Sequence, residues 1–328
     1  MARRMVSVTT GSRLHFGMFS LGNPGVRQFG GVGVMIDEPG VRLQITESDR
    51  LSSTGPMAEA ALRAAQALAL AEISPAEPRC RIDVLSAPPR HAGLGSGTQL
   101  ALAVAAGIRA LEGGEPLEPE QLARAVGRGQ RSAVGLYGFL HGGLIIEAGK
   151  LTDDEISPLV ARVDISPKWR FLLVRPQASE GLSGDAERLA FAQLPPAPAN
   201  VTAEMCREAL MELLPAAIER RFDRFSQSLY RFGQQAGSCF ASLQAGVYAT
   251  AEVAAAAQLL AELGVTGVAQ SSWGPTLFAP LPSQKAAEET AAHLQKLGSK
   301  WGGECLIARP LNAGATIDIA EEYRGEQS

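Results

Sequence analysis

Hydrophobic and polar positions alternate over short runs in the first part of the chain. "MVSVTT", "SRLHFGMF", "GVGVMID" and "VRLQITES" are predicted as strands between turn signals, and 56–71 as a helix. Alternation returns in Cys80-Arg-Ile-Asp-Val-Leu-Ser86, where β-branched residues favour a strand, whereas the Ala- and Leu-rich stretch 100–111 predicts a helix. A helix at 119–127 and an apolar strand within "GGLIIEAG" at 142–149 follow. Two strand-like runs, "LVARVDI" and "WRFLLVRP", flank Ser166-Pro167, and a second domain is predicted to begin there. Helical patterning then dominates to Leu263, with "LPPAPAN" at 194–200 as a connector. The run "TGVAQSSWGPTLFAPL", a helix at 283–297 and "GECLIARP" give the order strand, hairpin, helix, strand, which is a split βαβ pattern. The expectation is an α+β protein with domains at 1–165 and 166–328 and no internal repeat.

Composition narrows the classes of partner. The 328 residues suffice for two cores, and 46% hydrophobic with 20% charged residues describes a folded, soluble chain. A net charge of −4 without a dense Lys/Arg run argues against nucleic acid or an anionic membrane as the main partner. No segment approaches the roughly 20 apolar residues that span a bilayer, and no signal-peptide core follows Arg3 and Arg4. Cys80, Cys206, Cys239 and Cys305 are widely spaced and form no Cys-x-x-Cys pair, so reduced thiols and a cytoplasmic location are expected.

Between the strand at 80–86 and the helix at 100–111 lies "APPRHAGLGSGTQL", a strand-to-helix turn bared by Gly93, Gly95 and Gly97. The first turn of a helix leaves N–H groups unpaired and carries partial positive charge, and glycines let an anion reach them. The turn therefore predicts a phosphate seat. It is no Walker loop, because Thr98 and Gln99 follow Gly97 where Lys-Ser/Thr would stand. Nor is it a dinucleotide fingerprint, since position 98 is Thr and no acidic residue ends a second strand about twenty residues on.

His15, His91 and His141 sit among glycines and arginines rather than on apolar faces. Arg13, Arg27, Arg128, Arg131 and Arg175 adjoin glycines or turns, where a backbone meets a ligand, while Arg63, Arg220, Arg221 and Arg224 fall on helices and read as solvated. "GQRSAVGLYGFLHGG" contains no Asp or Glu, and so offers no general base. Asp37, Glu180, Asp185 and Glu187 are the candidate carboxylates for metal contact or acid–base work.

Together these blocks resemble the superfamily of galactokinase, homoserine kinase, mevalonate kinase and phosphomevalonate kinase, the GHMP kinases. "PPRHAGLGSGTQ" is similar to their phosphate loop and "GVAQSSWGPTLFA" to their C-terminal Gly-rich loop. The resemblance implies a ribosomal-protein-S5-like N-terminal domain, a ferredoxin-like C-terminal domain and an active site between them. Where such kinases carry an aspartate a few residues before Gly142-Gly143, this chain has Val134, Gly135 and Leu136, and Gln99 replaces a small residue of the phosphate loop.

Within the superfamily, "SRLHFGMF", "FGGVGVMIDEPG", "GLGSGTQ", "GRGQRSAVG", "HGGLIIEAG" and "EGLSGDAE" are similar to the β-ribofuranosylaminobenzene 5′-phosphate synthases of methanopterin synthesis. This second resemblance implies phosphoribosyl transfer from 5-phosphoribosyl 1-diphosphate to 4-aminobenzoate, with loss of diphosphate and carbon dioxide. It implies Arg13, His15, Arg27 and Arg131 as catalytic residues and His91, Gly93, Gly95, Ser96, Gly97 and Thr98 as the phosphate seat. Mg²⁺ or another divalent cation and a homodimer complete the expectation. An ATP-dependent kinase of the same fold and an idle phosphosugar-binding protein are the rival readings.

Overall fold

A computed structural model describes residues 2–23, 25–71, 78–176, 189, 193–244, 246–297 and 303–323. The four short strands expected at the start join into two long ones, β1 (Ala2–Ser20) and β2 (Phe29–Glu47), paired antiparallel along their length. Register shifts between Thr10 and Ser12 and between His15 and Gly17 mark bulges in β1, which bend it. The sheet also holds β3 (Ser52–Thr54), β4 (Cys80–Ser86), β5 (Leu144–Glu147) and β6 (Leu159–Val163). One half of β2 pairs with β4 and the other with β5, so the sheet has two ends with different coverings.

One end is covered by α1 (Ala58–Leu70), α2 (Ser96–Leu111) and α3 (Pro119–Ala125), whose Leu68, Leu102, Ile108 and Leu122 pack on Val6, Val8, Leu43, Ile45 and Ile82. Helix α4 (Val134–His141) was not expected, because Gly135 and Gly138 weaken helix propensity. Close packing explains Gly138: a Cβ there would stand 2.5 Å from Met35 Sδ.

The second sheet has the order β10–β7–β9–β8, all neighbours antiparallel, formed by β7 (Arg170–Arg175), β8 (Ala269–Gln270), β9 (Leu277–Leu281) and β10 (Glu304–Ala308). This is the ferredoxin-like arrangement that the split βαβ pattern implies. Its helices include α5 (Ala199–Glu208), which runs through a π segment (Ala209–Leu213) into α6 (Leu214–Ile218), then α7 (Phe222–Ser238), α8 (Ala251–Glu262) and α9 (Gln284–Lys296). The two sheets share a core in which Leu14, Phe16, Val32 and Val34 meet Phe171, Phe225, Phe232 and Phe278. Phe16 and Phe278 stack at 5.2 Å between ring centroids.

The end of the chain departs from a second domain running to 328. After β10, strand β11 (Thr316–Tyr323) returns to the first sheet and pairs antiparallel with β1. Among the described residues no helix is long and apolar enough to cross a membrane.

Candidate active site

The glycine turn begins where β4 ends. Gly93 and Gly95 have φ of 80° and 72°, and Gly95 is the residue that opens α2. No side chain caps that helix start and its first turn holds no acidic residue, so the protein leaves its exposed N–H groups to whatever enters. Arg13 N–H donates to Leu94 O at 3.0 Å and pins the turn to β1.

A second loop, between β8 and β9, meets the turn backbone to backbone. Ser271 Oγ donates to Gly93 O at 2.7 Å and accepts from His15 N–H at 3.0 Å, while Ser272 N–H donates to His15 O at 3.3 Å. Only glycine fits at this junction: a Cβ on Gly93 would stand 2.2 Å from Ser271 O, and one on Gly274 would stand 2.3 Å from Gly93 N.

In front of the turn lies a cavity of about 420 Å³. Arg13, His91, Gly93, Gly95, Ser96, Gly97 and Thr98 of the expected set line it, as does Arg128. Arg90 lines it too, and so does Arg63, which stays on the exposed face of α1 as expected and pairs with Glu59 at 3.8 Å. The Arg128 guanidinium would be 3.4 Å from a Cβ on Gly97, which places a cation over the α2 N-terminus.

Other candidates lie elsewhere. Arg27 is exposed, and its Nη1 donates to Gly149 O at 2.9 Å, away from the cavity lining. Arg131 is also absent from the lining and stands half-buried next to Ser132. His141 ends α4 and is exposed, and Arg175 pairs with Glu304 at 2.6 Å. Asp37 accepts from the N–H groups of Glu38 at 2.8 Å and Arg309 at 2.7 Å, tying β2 to the segment after β10. Glu180, Asp185 and Glu187 lie outside the described residues.

The cavity lining supplies arginines and the hydroxyls of Ser96 and Thr98 but no carboxylate, and no group of three His, Cys, Asp or Glu side chains converges among the described residues. Divalent magnesium prefers carboxylate and water oxygens. To a magnesium ion bridging a bound diphosphate, the described lining offers hydroxyl oxygens and no carboxylate.

Behind the cavity the sequence reading missed a carboxylate. Glu147 ends β5, a strand buried at every position, and is itself fully buried. Its Oε2 accepts from Ala133 N–H at 2.7 Å, at the start of α4, and its Oε1 accepts from Ser132 Oγ at 2.6 Å. Ser132 Oγ in turn lies 3.2 Å from His15 Nε2. Burial pushes the Glu147 carboxyl up from its ordinary range against the opposing hydrogen bonds of Ser132 and Ala133. Burial, with the Arg13 charge beside it, holds His15 well below the usual imidazole range. An acidic residue inside the otherwise apolar "LIIE" was the available signal.

Gly135 and Gln99 account for each other. Gln99 is buried, its Nε2 donates to Gly135 O at 2.8 Å, and its Oε1 accepts from Thr10 Oγ1 at 2.9 Å. A Cβ at Gly135 would stand 3.2 Å from Thr98 Cγ2 and 3.6 Å from Gln99 Nε2, so Thr98 and Gln99 occupy space beside the kinase-aspartate position.

Residues 54–143 match the GHMP kinases N terminal domain, and residues 213–300 match the GHMP kinases C terminal domain. Among solved structures, homoserine kinase from Cytophaga hutchinsonii superposes with a TM-score of 0.67 at 16% identity, covering 96% of this chain and 97% of that one. Mevalonate diphosphate decarboxylase from Staphylococcus aureus gives a TM-score of 0.67 at 13% identity, covering 96% and 98%. Similarity in sequence goes further. A β-ribofuranosylphenol 5′-phosphate synthase from Archaeoglobus fulgidus is 31% identical over 330 residues, covering 96% of this chain and 100% of that protein. Its counterpart in Methanocaldococcus jannaschii is 28% identical, covering 94% and 99%. With the GHMP fold, the glycine seat and this full-length similarity together, the chain belongs to the β-ribofuranosylphenol 5′-phosphate synthase family of the GHMP kinase superfamily.

Proposed function

We propose that this enzyme transfers the phosphoribosyl group of 5-phosphoribosyl 1-diphosphate to the carboxyl-bearing ring carbon of a 4-substituted benzoate. The observation that carries the reading is the cavity itself: an uncapped α2 N-terminus faced by arginines with no carboxylate in the lining, which suits a diphosphate. The ring carbon attacks C1 of the ribosyl group, and the C1–O bond breaks with its electron pair leaving on diphosphate. The pair of the ring–carboxyl bond then returns to the ring, carbon dioxide departs and aromaticity is restored. Backbone N–H groups of Ser96 and Gly97 and the guanidiniums of Arg13 and Arg128 stabilise the departing charge, while Thr98 N–H is held by Gly95 O at 3.0 Å. One preorganised donor of this kind is worth about 10²–10³ in rate.

The acceptor implied by the sequence blocks is 4-aminobenzoate, a step of methanopterin synthesis. A second reading, 4-hydroxybenzoate, is favoured by the relatives' names, which put a phenol in the product. Each acceptor, labelled in its carboxyl carbon, is incubated with 5-phosphoribosyl 1-diphosphate, with and without magnesium. Diphosphate and labelled carbon dioxide are expected in equal amounts, with ribose joined to ring carbon. Label retained in a ribosylated product, or phosphorylation of a small alcohol by ATP without ribosyl transfer, contradicts the reading.

A further inference from the structure

A serine hydroxyl has one hydrogen to give. Ser132 spends it on Glu147 Oε1 at 2.6 Å, and it also accepts from Val134 N–H at 3.3 Å. Its contact with His15 Nε2 at 3.2 Å is then a bond in which the imidazole donates, so the ring carries hydrogen on Nε2 and Nδ1 is its acceptor. His15 is buried and lines a smaller pocket with Gln234, Gln270, Ser272 and Trp273, and Ser272 and Trp273 also line the 420 Å³ cavity, so the two spaces adjoin. His15 N–H and C=O hold Ser271 and Ser272 of the second loop. The path from His15 to Glu147 therefore runs from the meeting point of the two glycine loops to the start of α4.

We propose that His15, Ser132 and Glu147 form a proton relay that borrows the phenolic proton of a 4-hydroxybenzoate acceptor and returns it to the product. The proposal rests on the reading of a decarboxylating ribosyl transfer and names the acceptor class for it. The acceptor O–H gives its proton to His15 Nδ1 while its electron pair moves into the ring. As Nδ1 gains that proton, the Nε2 hydrogen passes to Ser132 Oγ and the serine hydrogen passes to Glu147 Oε1. The activated ring carbon attacks C1, and diphosphate leaves with the C1–O pair. After carbon dioxide departs, the ring is left as a phenolate, which draws the proton back along the same path. Nothing is consumed in the relay. Burial disfavours both an imidazolium at His15 and a carboxylate at Glu147, so a borrowed proton comes to rest on Glu147. Arg13 beside His15 acts in the same direction.

Glu147→Gln separates this role from packing. Ala133 N–H at 2.7 Å requires an acceptor, so the amide turns its oxygen there and its NH₂ towards Ser132. Ser132 must then donate to His15 Nε2, and the imidazole changes tautomer to Nδ1–H. Nitrogen-15 NMR of histidine-labelled protein is expected to show His15 as Nε2–H in the parent and Nδ1–H in Glu147→Gln. With 4-hydroxybenzoate the variant is expected to lose on the order of 10²-fold in kcat with little change in KM. Ser132→Ala is expected to lose a similar factor, because the path is cut, while diphosphate binding stays at the parent value. An Nδ1–H tautomer in the parent, or no tautomer change in a folded Glu147→Gln, overturns the relay whatever the protein transfers. A switched tautomer with unchanged kcat overturns the proton role. Absence of ribosyl transfer by the parent instead overturns the reading of function, and with it the acceptor named here.

Discussion

Two helix starts lie a few residues from one another in space and are finished differently. At α2, Gly95 provides no side-chain cap, no acid stands in the first turn, and arginines surround the opening. At α4, Glu147 reaches in from β5 and accepts from Ala133 N–H, so the start is closed by the protein's own carboxylate. The backbone physics is the same at both: unpaired N–H groups and partial positive charge call for an anion. One start is satisfied internally and carries a proton path. The other is left open, and in the proposed function it is the start that receives the substrate's anion.

The largest expected effect comes from forcing apart the junction that holds both starts in place. Gly274→Ala sets a Cβ 2.3 Å from Gly93 N, against rigid backbone, and should lower stability by about 1–3 kcal/mol in thermal unfolding with loss of activity. Glu147→Ala should cost about 1–3 kcal/mol, because Ala133 N–H and Ser132 Oγ lose their buried acceptor.

Smaller effects sharpen the contrast. Gly97→Val meets only Arg128 Nη2 at 3.4 Å, so the protein should fold with stability within about 1 kcal/mol of the parent. Diphosphate affinity should nonetheless fall tenfold or more by calorimetry, because the side chain blocks the α2 amides. Arg128→Ala should also weaken diphosphate binding, and less so as salt rises, whereas Arg27→Ala should leave it unchanged, since Arg27 binds Gly149 O outside the cavity.

The pH dependence of stability should have opposite signs in two variants. A buried His held below its ordinary value favours the neutral form, so Glu147→Gln, which keeps His15, should lose stability as pH falls below about 6.5. A buried Glu held above its ordinary value favours the protonated form, so His15→Gln, which keeps Glu147, should lose stability as pH rises above about 4.3. Arg13 beside His15 and Tyr137 near Glu147 are present in both variants. Denaturant titrations of the two proteins between these values check the signs.

The sequence was most readable where local chemistry decides structure. Pro88, Pro89 and the spaced glycines punctuate the β4–α2 turn, and alternation with β-branched residues marks the strand at 80–86. Helix α4 was hidden because Gly135 and Gly138 look like breakers until Gln99 and Met35 are packed against them. Strand β11 was hidden because its partner is β1, at the far end of the chain. Neighbouring residues in sequence place Arg63 correctly on the exposed face of α1, at the cavity rim, but mislead for Arg27, whose adjoining glycines suggest a ligand while the fold sets it on Gly149 O. Glu147 escaped notice because its partners come from 15 positions earlier at Ser132 and, through Ser132, from a further 117 at His15.

The central claim, one helix start open to an anion and one already closed, is tested most directly by following backbone amide resonances while inorganic diphosphate is titrated in. Amides at 96–98 are expected to shift in a saturable way, with those of Ala133 and Val134 unmoved. Saturable shifts at Ala133 and Val134, or none at 96–98, would contradict it.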